Sequence, residues 1–301
     1  VTTLEIDLMH VFVTGATGWV GSAVVDDLIA AGHRVTGLTR SEAKAAALAA
    51  TGATVLRGTL DDLDLLRDAA SAVDAVIHTA FNHDFSKMAE NGAQDARAIE
   101  VLGSALQGSD RPLLVTSGVA LVAPGRVATE ADVPPPNPSW PRRSEEAARA
   151  VAARGVRVAS VRLAPSVHGL GDHGFIPMLI NVARQKGVSA YIGQGLNRWP
   201  GVHRSDAARL YRLILEQGAT KPVYHATADE GVAFKHIAEA IGRGLGVAVE
   251  PRDAAHFDWF GGFAGADMPA SSAQTRFVLG WNPTGPDLLS DLAQPGYYAV
   301  R

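Results

Sequence analysis

Apolar residues in the first half of the chain fall in short β-branched runs, separated by alanine-rich stretches whose apolar positions recur at helical spacing. The runs His10 to Thr14, Arg34 to Thr39, Thr54 to Arg57, Ala75 to Thr79, Leu113 to Thr116 and Arg157 to Leu163 predict six strands. Between them helices are predicted over Gly21 to Ala31, Ser41 to Thr51, Leu63 to Ala70, Met88 to Gln107 and Ser144 to Arg154, with Ser41 as an N-cap. Strands that alternate with helices imply right-handed crossovers and a parallel sheet covered on both faces. The fold class expected is α/β, a doubly wound parallel sheet, whose ligands sit at the carboxyl ends of the strands. Val133 to Pro138, with four prolines, breaks the rhythm as a stiff loop. After Pro165 the pattern loosens, with helices near Phe175 to Lys186, Asp206 to Gln217 and Lys235 to Gly244, then a mixed, glycine-rich tail. The expected organisation is a nucleotide-binding core over residues 1–165 and a smaller substrate-binding lobe mainly over 166–301, with some segments returning to the core.

The first strand runs into Thr14-Gly15-Ala16-Thr17-Gly18-Trp19-Val20-Gly21 and then into a helix. Glycines at this spacing permit a tight turn, close backbone approach to a pyrophosphate and tight packing of helix on strand. The helix N-terminus offers free N–H groups and partial positive charge to the anion. Gly15, Thr17, Gly18, Trp19, Val20 and Gly21 are therefore expected to bind a nicotinamide dinucleotide in a Rossmann-type core. An NAD site favours an acidic residue at the end of strand 2, facing the ribose hydroxyls. Here that strand ends Gly37-Leu38-Thr39-Arg40-Ser41, without a carboxylate. Arg40 suits a ribose 2′-phosphate and Ser41 adds a hydrogen bond, so NADP(H) is expected over NAD(H).

These residues resemble the short-chain dehydrogenase/reductase superfamily in its extended or atypical branch, the NAD-dependent epimerase/dehydratase type. Gly58-Thr59-Leu60-Asp61 resembles the loop that touches adenine, which implicates Leu60 and Asp61. Val76-Ile77-His78-Thr79-Ala80 resembles the segment lying along the cofactor, which implicates Thr79 and Ala80. Val161 to Gly169 resembles the motif that reaches the nicotinamide, which implicates Pro165 and Val167. Val202-His203-Arg204-Ser205-Asp206-Ala207-Ala208 resembles the family's Val-His-x-x-Asp-x-Ala segment.

The catalytic motif departs from that pattern. Most members carry Tyr-x-x-x-Lys, whose tyrosine exchanges a proton with the substrate oxygen. This chain has no tyrosine between Asp84 and Phe175, and reads Pro138-Ser139-Trp140-Pro141-Arg142-Arg143-Ser144-Glu145-Glu146. With Glu146 matched to the glutamate that follows the lysine, Arg142 falls on the lysine and Pro138 on the tyrosine. Arg142 is suited to hold ribose or pyrophosphate but is a poor proton donor. Ser117 is the best hydroxyl near the family's catalytic serine, whose own register falls on Gly118. The resemblance implies a part for it in both catalysis and cofactor contact, and satisfying backbone at a strand end is its alternative. His83, after strand 4, and His168, after strand 6, are candidate replacement donors because imidazole titrates near neutrality; for each, packing is the alternative. Phe257 to Phe263 either roofs an apolar substrate pocket or forms the core of the smaller lobe.

Composition narrows the remaining choices. A chain of 301 residues, 47% hydrophobic and 19% charged, has ample material for a core, and a net charge of −4 argues against a nucleic-acid partner. The absence of cysteine removes disulfides, thiolate metal sites and a cysteine nucleophile. His168 and His173 lack the spacing of a helical zinc pair, so no metal is expected. No apolar run approaches the roughly 18 residues of a membrane span, and Val1 to Leu8 does not read as a signal peptide. A cytoplasmic location is expected. The resemblance implies a homodimer through Met88 to Gln107 and Ser144 to Arg154, although those alanine-rich faces equally suit their own sheet. No basic constellation grips a second diphosphate, so the expected activity is reduction of a small uncharged carbonyl compound by NADPH. Two alternatives stand beside it: a catalytically silent NADP(H)-binding sensor, and an epimerase or dehydratase that recycles its cofactor.

Overall fold

A computed structural model describes residues 7–134 and 142–299. The proline-rich motif from Pro135 through Pro141, with the Pro138 that falls on the tyrosine position, lies outside the described residues. The strands are β1 His10–Thr14, β2 Arg34–Thr39, β3 Thr54–Arg57, β4 Ala75–His78, β5 Leu113–Gly118, β6 Val158–Leu163, β7 Ser166–His168, β8 Val188–Ile192, β9 Arg198–His203, β10 Val223–Ala226, β11 Asp229–Ala233 and β12 Ala248–Arg252. The main helices are α1 Trp19–Ala30, α2 Glu42–Ala50, α3 Leu63–Ser71, α4 Met88–Leu106, α5 Ser144–Ala152, α6 Phe175–Lys186, α7 Arg204–Glu216 and α8 Phe234–Leu245. The six expected strands of the sheet are present within two residues at each end. A seventh, β10, comes from a part of the sequence read as irregular.

The sheet order is β10-β6-β5-β4-β1-β2-β3, and β1 pairs in parallel with both β2 and β4. Chain order reverses between β1 and β4, which makes the carboxyl ends of these two strands the switch point of a doubly wound fold. Central strands buried on both faces read as apolar runs; Val11, Phe12 and Val13 of β1 and Val76 and Ile77 of β4 have no exposed surface.

The chain divides into two compact units. The first takes Val1–Ser117, Pro136–Val161 and Ala208–Tyr224; the second takes Gly118–Pro135, Arg162–Ala207 and His225–Arg301. In the first, Phe12, Val76, Leu113 and Val115 of the sheet pack with Leu66, Ile99, Leu102 and Val151 of the helices. Each such side chain stabilises the fold by about 1.5–3 kcal/mol. Helices α4 and α5 approach closely because position 103 is glycine: a Cβ there would strike the Val151 side chain. In the second unit β7, β9 and β11 form one small sheet, and β8 pairs with β12. Its core gathers Trp199, Phe234, Phe257, Phe260 and Met268. The aromatic run therefore belongs chiefly to that core, although Trp259 is 63% exposed. No helix among the described residues is long and apolar enough to cross a membrane.

Candidate active site

The glycine turn leaves β1 at the switch point. Gly15 has φ +68°, and a Cβ on it would lie 2.8 Å from the Ala80 backbone. A Cβ on Gly21 would collide with the Gly15 carbonyl and the Thr79 hydroxyl, so α1 lies against the turn only with glycine there. Gly18 differs. A Cβ on it would meet only Gly15 O, at 3.1 Å, and the residue is exposed. It is the N-cap of α1, without a side-chain cap, and the first turn carries no acidic residue. Internal packing thus requires the two outer glycines, while the middle one keeps the helix end open to an approaching anion. A dinucleotide pyrophosphate fits the chemistry of this cradle, and Gly15, Gly18 and the amides of Trp19, Val20 and Gly21 could hold it.

Surrounding side chains fix the turn. Thr79 Oγ1 donates to Thr14 O at 2.7 Å, and Ala80 N donates to Thr14 Oγ1 at 3.3 Å. Thr17 Oγ1 pairs with Thr39 Oγ1 at 3.1 Å, which ties the turn to the end of β2. Ser41 caps α2 by accepting from Lys44 N at 3.3 Å, and Lys44 Nζ reaches Thr17 O at 3.4 Å. Sequence reasoning did not single out Lys44. Arg40 is exposed and makes no ion pair among the described residues. After β3, Asp62 accepts from Thr59 N and Oγ1 at 2.7 and 2.9 Å, bonds that hold its carboxyl below the usual range. Leu60 is half-buried in this turn, and Asp61 accepts from Gln94 of α4 at 2.6 Å.

Beside the turn, a chain of buried polar groups crosses the ends of the strands. Thr14 Oγ1 meets His78 Nδ1 at 2.8 Å, and His78 Nε2 meets Asp95 Oδ1 at 2.9 Å. Ser144 Oγ donates to Asp95 Oδ2 at 2.5 Å and accepts from Arg142 Nε at 2.9 Å. Arg142 Nη2 donates to Thr116 O at 3.0 Å, and the guanidinium carbon sits 4.4 Å above the Phe81 ring. Burial works to raise the Asp95 pKa, but the bond from His78 and the charges of His78 and Arg142 outweigh it and hold the carboxyl below its usual value. Burial also lowers the Arg142 pKa, against the attraction of Asp95. The Arg142 Nη1 group has no partner among the described residues.

The other candidates are placed as follows. Ser117 lies inside β5, which runs two residues beyond its expected end, and donates to Glu145 Oε1 of α5 at 2.6 Å. Its hydroxyl proton is committed to a carboxylate, in place of the expected backbone partner or substrate oxygen. His83 is exposed, with its ring 5.4 Å from that of Phe81. The Phe81 ring therefore neighbours both His83 and Arg142. Tyr211 is fully buried, 2.7 Å from Thr116 Oγ1, and burial raises its pKa far above the usual value. It does not replace the missing tyrosine as an exposed donor.

Pro165, Val167 and His168 belong to the second unit. Pro165 and Val167 are half-buried on and before β7. His168 has no exposed surface; its Nδ1 is 2.8 Å from Asp291 Oδ2, and its Nε2 is buried without a hydrogen bond, 3.9 Å from Asp229. A ring closed off in this way is held by its own unit and offers no surface to a ligand. Burial pushes the nearby Asp172 carboxyl up to about 6. No cluster of three metal-ligating side chains occurs among the described residues.

Glycine turn, strand order and switch point together define a dinucleotide-binding enzyme scaffold of the extended short-chain type. The profile of the NAD dependent epimerase/dehydratase family matches residues 11–227, and the chain belongs to that family, within the NAD(P)-dependent oxidoreductase superfamily. A Schizosaccharomyces pombe protein described as uncharacterized is 48% identical over 295 residues, covering 96% of this chain and all of the relative. A Stigmatella aurantiaca protein, described as a 4-hydroxy-2-methyl-3-oxo-4-farnesyl-3,4-dihydroquinoline-1-oxide ketoreductase, is 28% identical over 236 residues, covering 75% of this chain and 70% of its own. The dTDP-glucose 4,6-dehydratase of Streptomyces venezuelae, solved with NAD bound, shares the fold at a TM-score of 0.77 and 20% identity, with 96% of each chain covered.

Proposed function

We propose that the chain is an NADPH-dependent reductase of a small, uncharged carbonyl compound, in which Arg142 receives the substrate oxygen. The observation that carries this reading is the guanidinium itself: anchored through Nε and Nη2, laid over Phe81, with Nη1 uncommitted among the described residues. The ketoreductase description of the Stigmatella relative supports the same reaction class. Arg40 at the end of β2, where an NAD site would carry a carboxylate, supports NADPH, and Lys44 adds a second cation beside the turn.

NADPH, when bound, supplies the hydride. Gly15, Gly18 and the first amides of α1 would hold the pyrophosphate, and Arg40 would pair with the 2′-phosphate. As the carbonyl carbon is reduced, negative charge gathers on its oxygen, where Arg142 meets it with N–H donors and a fixed positive charge. The guanidinium is a poor proton donor and keeps its own proton. His83, exposed beside Phe81, delivers the proton that completes the alcohol. The unit of function we expect is a homodimer.

NADPH consumption against a panel of aldehydes and ketones tests the reading. Turnover with at least one member is expected, with NADPH bound at least tenfold more tightly than NADH, the order of one charge-assisted hydrogen bond. Tight NADPH binding without turnover across the panel overturns it in favour of a silent binding protein. Cofactor retained through purification, with product formed and no net oxidation, overturns it in favour of an epimerase or dehydratase.

A further inference from the structure

Three residues in the candidate site have no role in the reaction just described: His78, Asp95 and Ser144, which are 1%, 2% and 0% exposed. A buried carboxylate costs several kcal/mol of desolvation, and an apolar set of the same volume commonly packs more stably. Something other than stability is therefore the natural reason for this chain of groups.

The chemistry of the side chains orders it. Arginine has only donors, so the Ser144 oxygen accepts from Arg142 Nε. The single Ser144 proton is then left for Asp95 Oδ2, at 2.5 Å. An ionised carboxylate only accepts, so Asp95 Oδ1 takes the proton on His78 Nε2. Thr14 Oγ1 closes the chain at His78 Nδ1, one residue before the glycine turn. Each link has one permitted direction from Arg142 to Asp95, and the carboxylate charge sits behind the guanidinium. With Nε fixed by Ser144 and Nη2 fixed by Thr116 O, the planar guanidinium has one orientation, and its Nη1 edge points in one direction.

We infer that Asp95, backed by His78 and acting through Ser144, positions the Arg142 guanidinium. These are positioning residues; only Arg142 touches the substrate. The inference rests on the reductase reading for its effect on rate, while the hold on Arg142 stands apart from it.

The test uses the full chain with Asp95→Asn, which keeps the shape and removes the charge, alongside Arg142→Lys and the double variant. In nitrogen-labelled arginine spectra the Arg142 Nε–H signal, assigned by its loss in Arg142→Lys, is expected to be sharp and slow to exchange in the parent protein. In Asp95→Asn it is expected to broaden or vanish. NADPH binding should stay within about twofold, while kcat falls ~10- to 100-fold at nearly constant KM, the order expected for a misaligned catalytic group. The double variant should lose no more than Arg142→Lys alone, because both act on one group. An unchanged signal in Asp95→Asn overturns the inference, as does multiplication of the two losses in the double variant. If the parent protein turns over no carbonyl, the reductase reading fails and the signal alone decides the relay. Should Asp95→Asn fail to fold, Ser144→Ala breaks the same link and leaves the Asp95–His78 pair intact. Retained signal and retained kcat in that variant would equally overturn the proposal.

Discussion

In the first unit one buried carboxylate, Asp95, is surrounded by donors: the His78 ring, the Ser144 hydroxyl and, behind that hydroxyl, the Arg142 guanidinium. In the second unit the proportions are reversed. Asp291 is bonded to His168, Asp229 lies 3.9 Å from it, and Asp172 feels its charge. The acids of both clusters are buried, apart from the half-buried Asp229, yet the balance of forces differs. Around Asp95 hydrogen bonds and positive charge outweigh burial, and the carboxyl is held below its usual pKa. At Asp172 and Asp229 burial is the largest influence, and both pKa values rise. The difference shows that the balance of donors and carboxylates, more than depth, decides which way a buried acid's pKa moves. The first arrangement yields a directed cation. The second raises the pKa of Asp172 and Asp229 and leaves one histidine nitrogen without a hydrogen bond.

The largest effect expected from disturbing this contrast is at Arg142. Replacement by alanine removes the group that meets the substrate oxygen, and kcat should fall about 100- to 1000-fold, the cost of losing an oxyanion donor. Steady-state kinetics on the carbonyl substrate measures it, and a loss below tenfold would move the oxygen site elsewhere. Next comes Arg40→Asp, which places a carboxylate where the 2′-phosphate is expected. NADPH-to-NADH preference should shift about 10- to 100-fold toward NADH. Fluorescence titration with both cofactors reads this, and an unchanged ratio argues that Arg40 is only a solvated surface residue.

A smaller effect, opposite in sign to the behaviour of Asp95, is expected at Asp172. Its folded pKa of about 6 exceeds the ordinary carboxyl value of 3.8. The folded state therefore binds the proton more tightly than the unfolded state does. The contribution of this group to stability is greatest at low pH, falls as pH rises between those two values, and stays reduced above them. Asp172→Asn keeps the acceptor for Gly174 N and removes the ionisation. At pH near 8 it should stabilise the fold by about 1–3 kcal/mol, and near pH 3 it should change little. Melting curves at both pH values check this; equal shifts at the two would detach the effect from titration. The Asp95 carboxyl behaves in the opposite sense. Its lowered pKa contributes stability that is present at neutral pH and lost as pH falls through the folded value.

Much of the first unit was legible in the sequence. The six strands before Pro165 and the helices between them follow from apolar runs and helical spacing, and the glycine turn follows from its position between a strand and a helix. The second half was harder, because β7 to β12 are three to six residues long and mix polar with apolar positions. Of the candidate donors, His83 is an exposed loop residue beside the Phe81 ring. His168 shares its residue type but is enclosed by Asp291 and by its own unit. Ser117 was visible as a hydroxyl near the end of β5, but its partner Glu145 was not. His78 lay within a segment singled out for the cofactor, and nothing marked it as the partner of Asp95.

The sequence alone determined the kind of ligand, because a turn with glycines at positions 15, 18 and 21 carries its chemistry within eight residues. It also determined the doubly wound fold, since helix and strand periodicities are local properties. Which polar side chains meet was decided only by tertiary structure. Thr14 and His78 are 64 positions apart, His78 and Asp95 are 17 apart, and Asp95 and Ser144 are 49 apart. The pairing of β1 with β4 and the packing of α4 against α5 bring them together. No local pattern encodes a contact whose two ends are joined by strand order and helix packing.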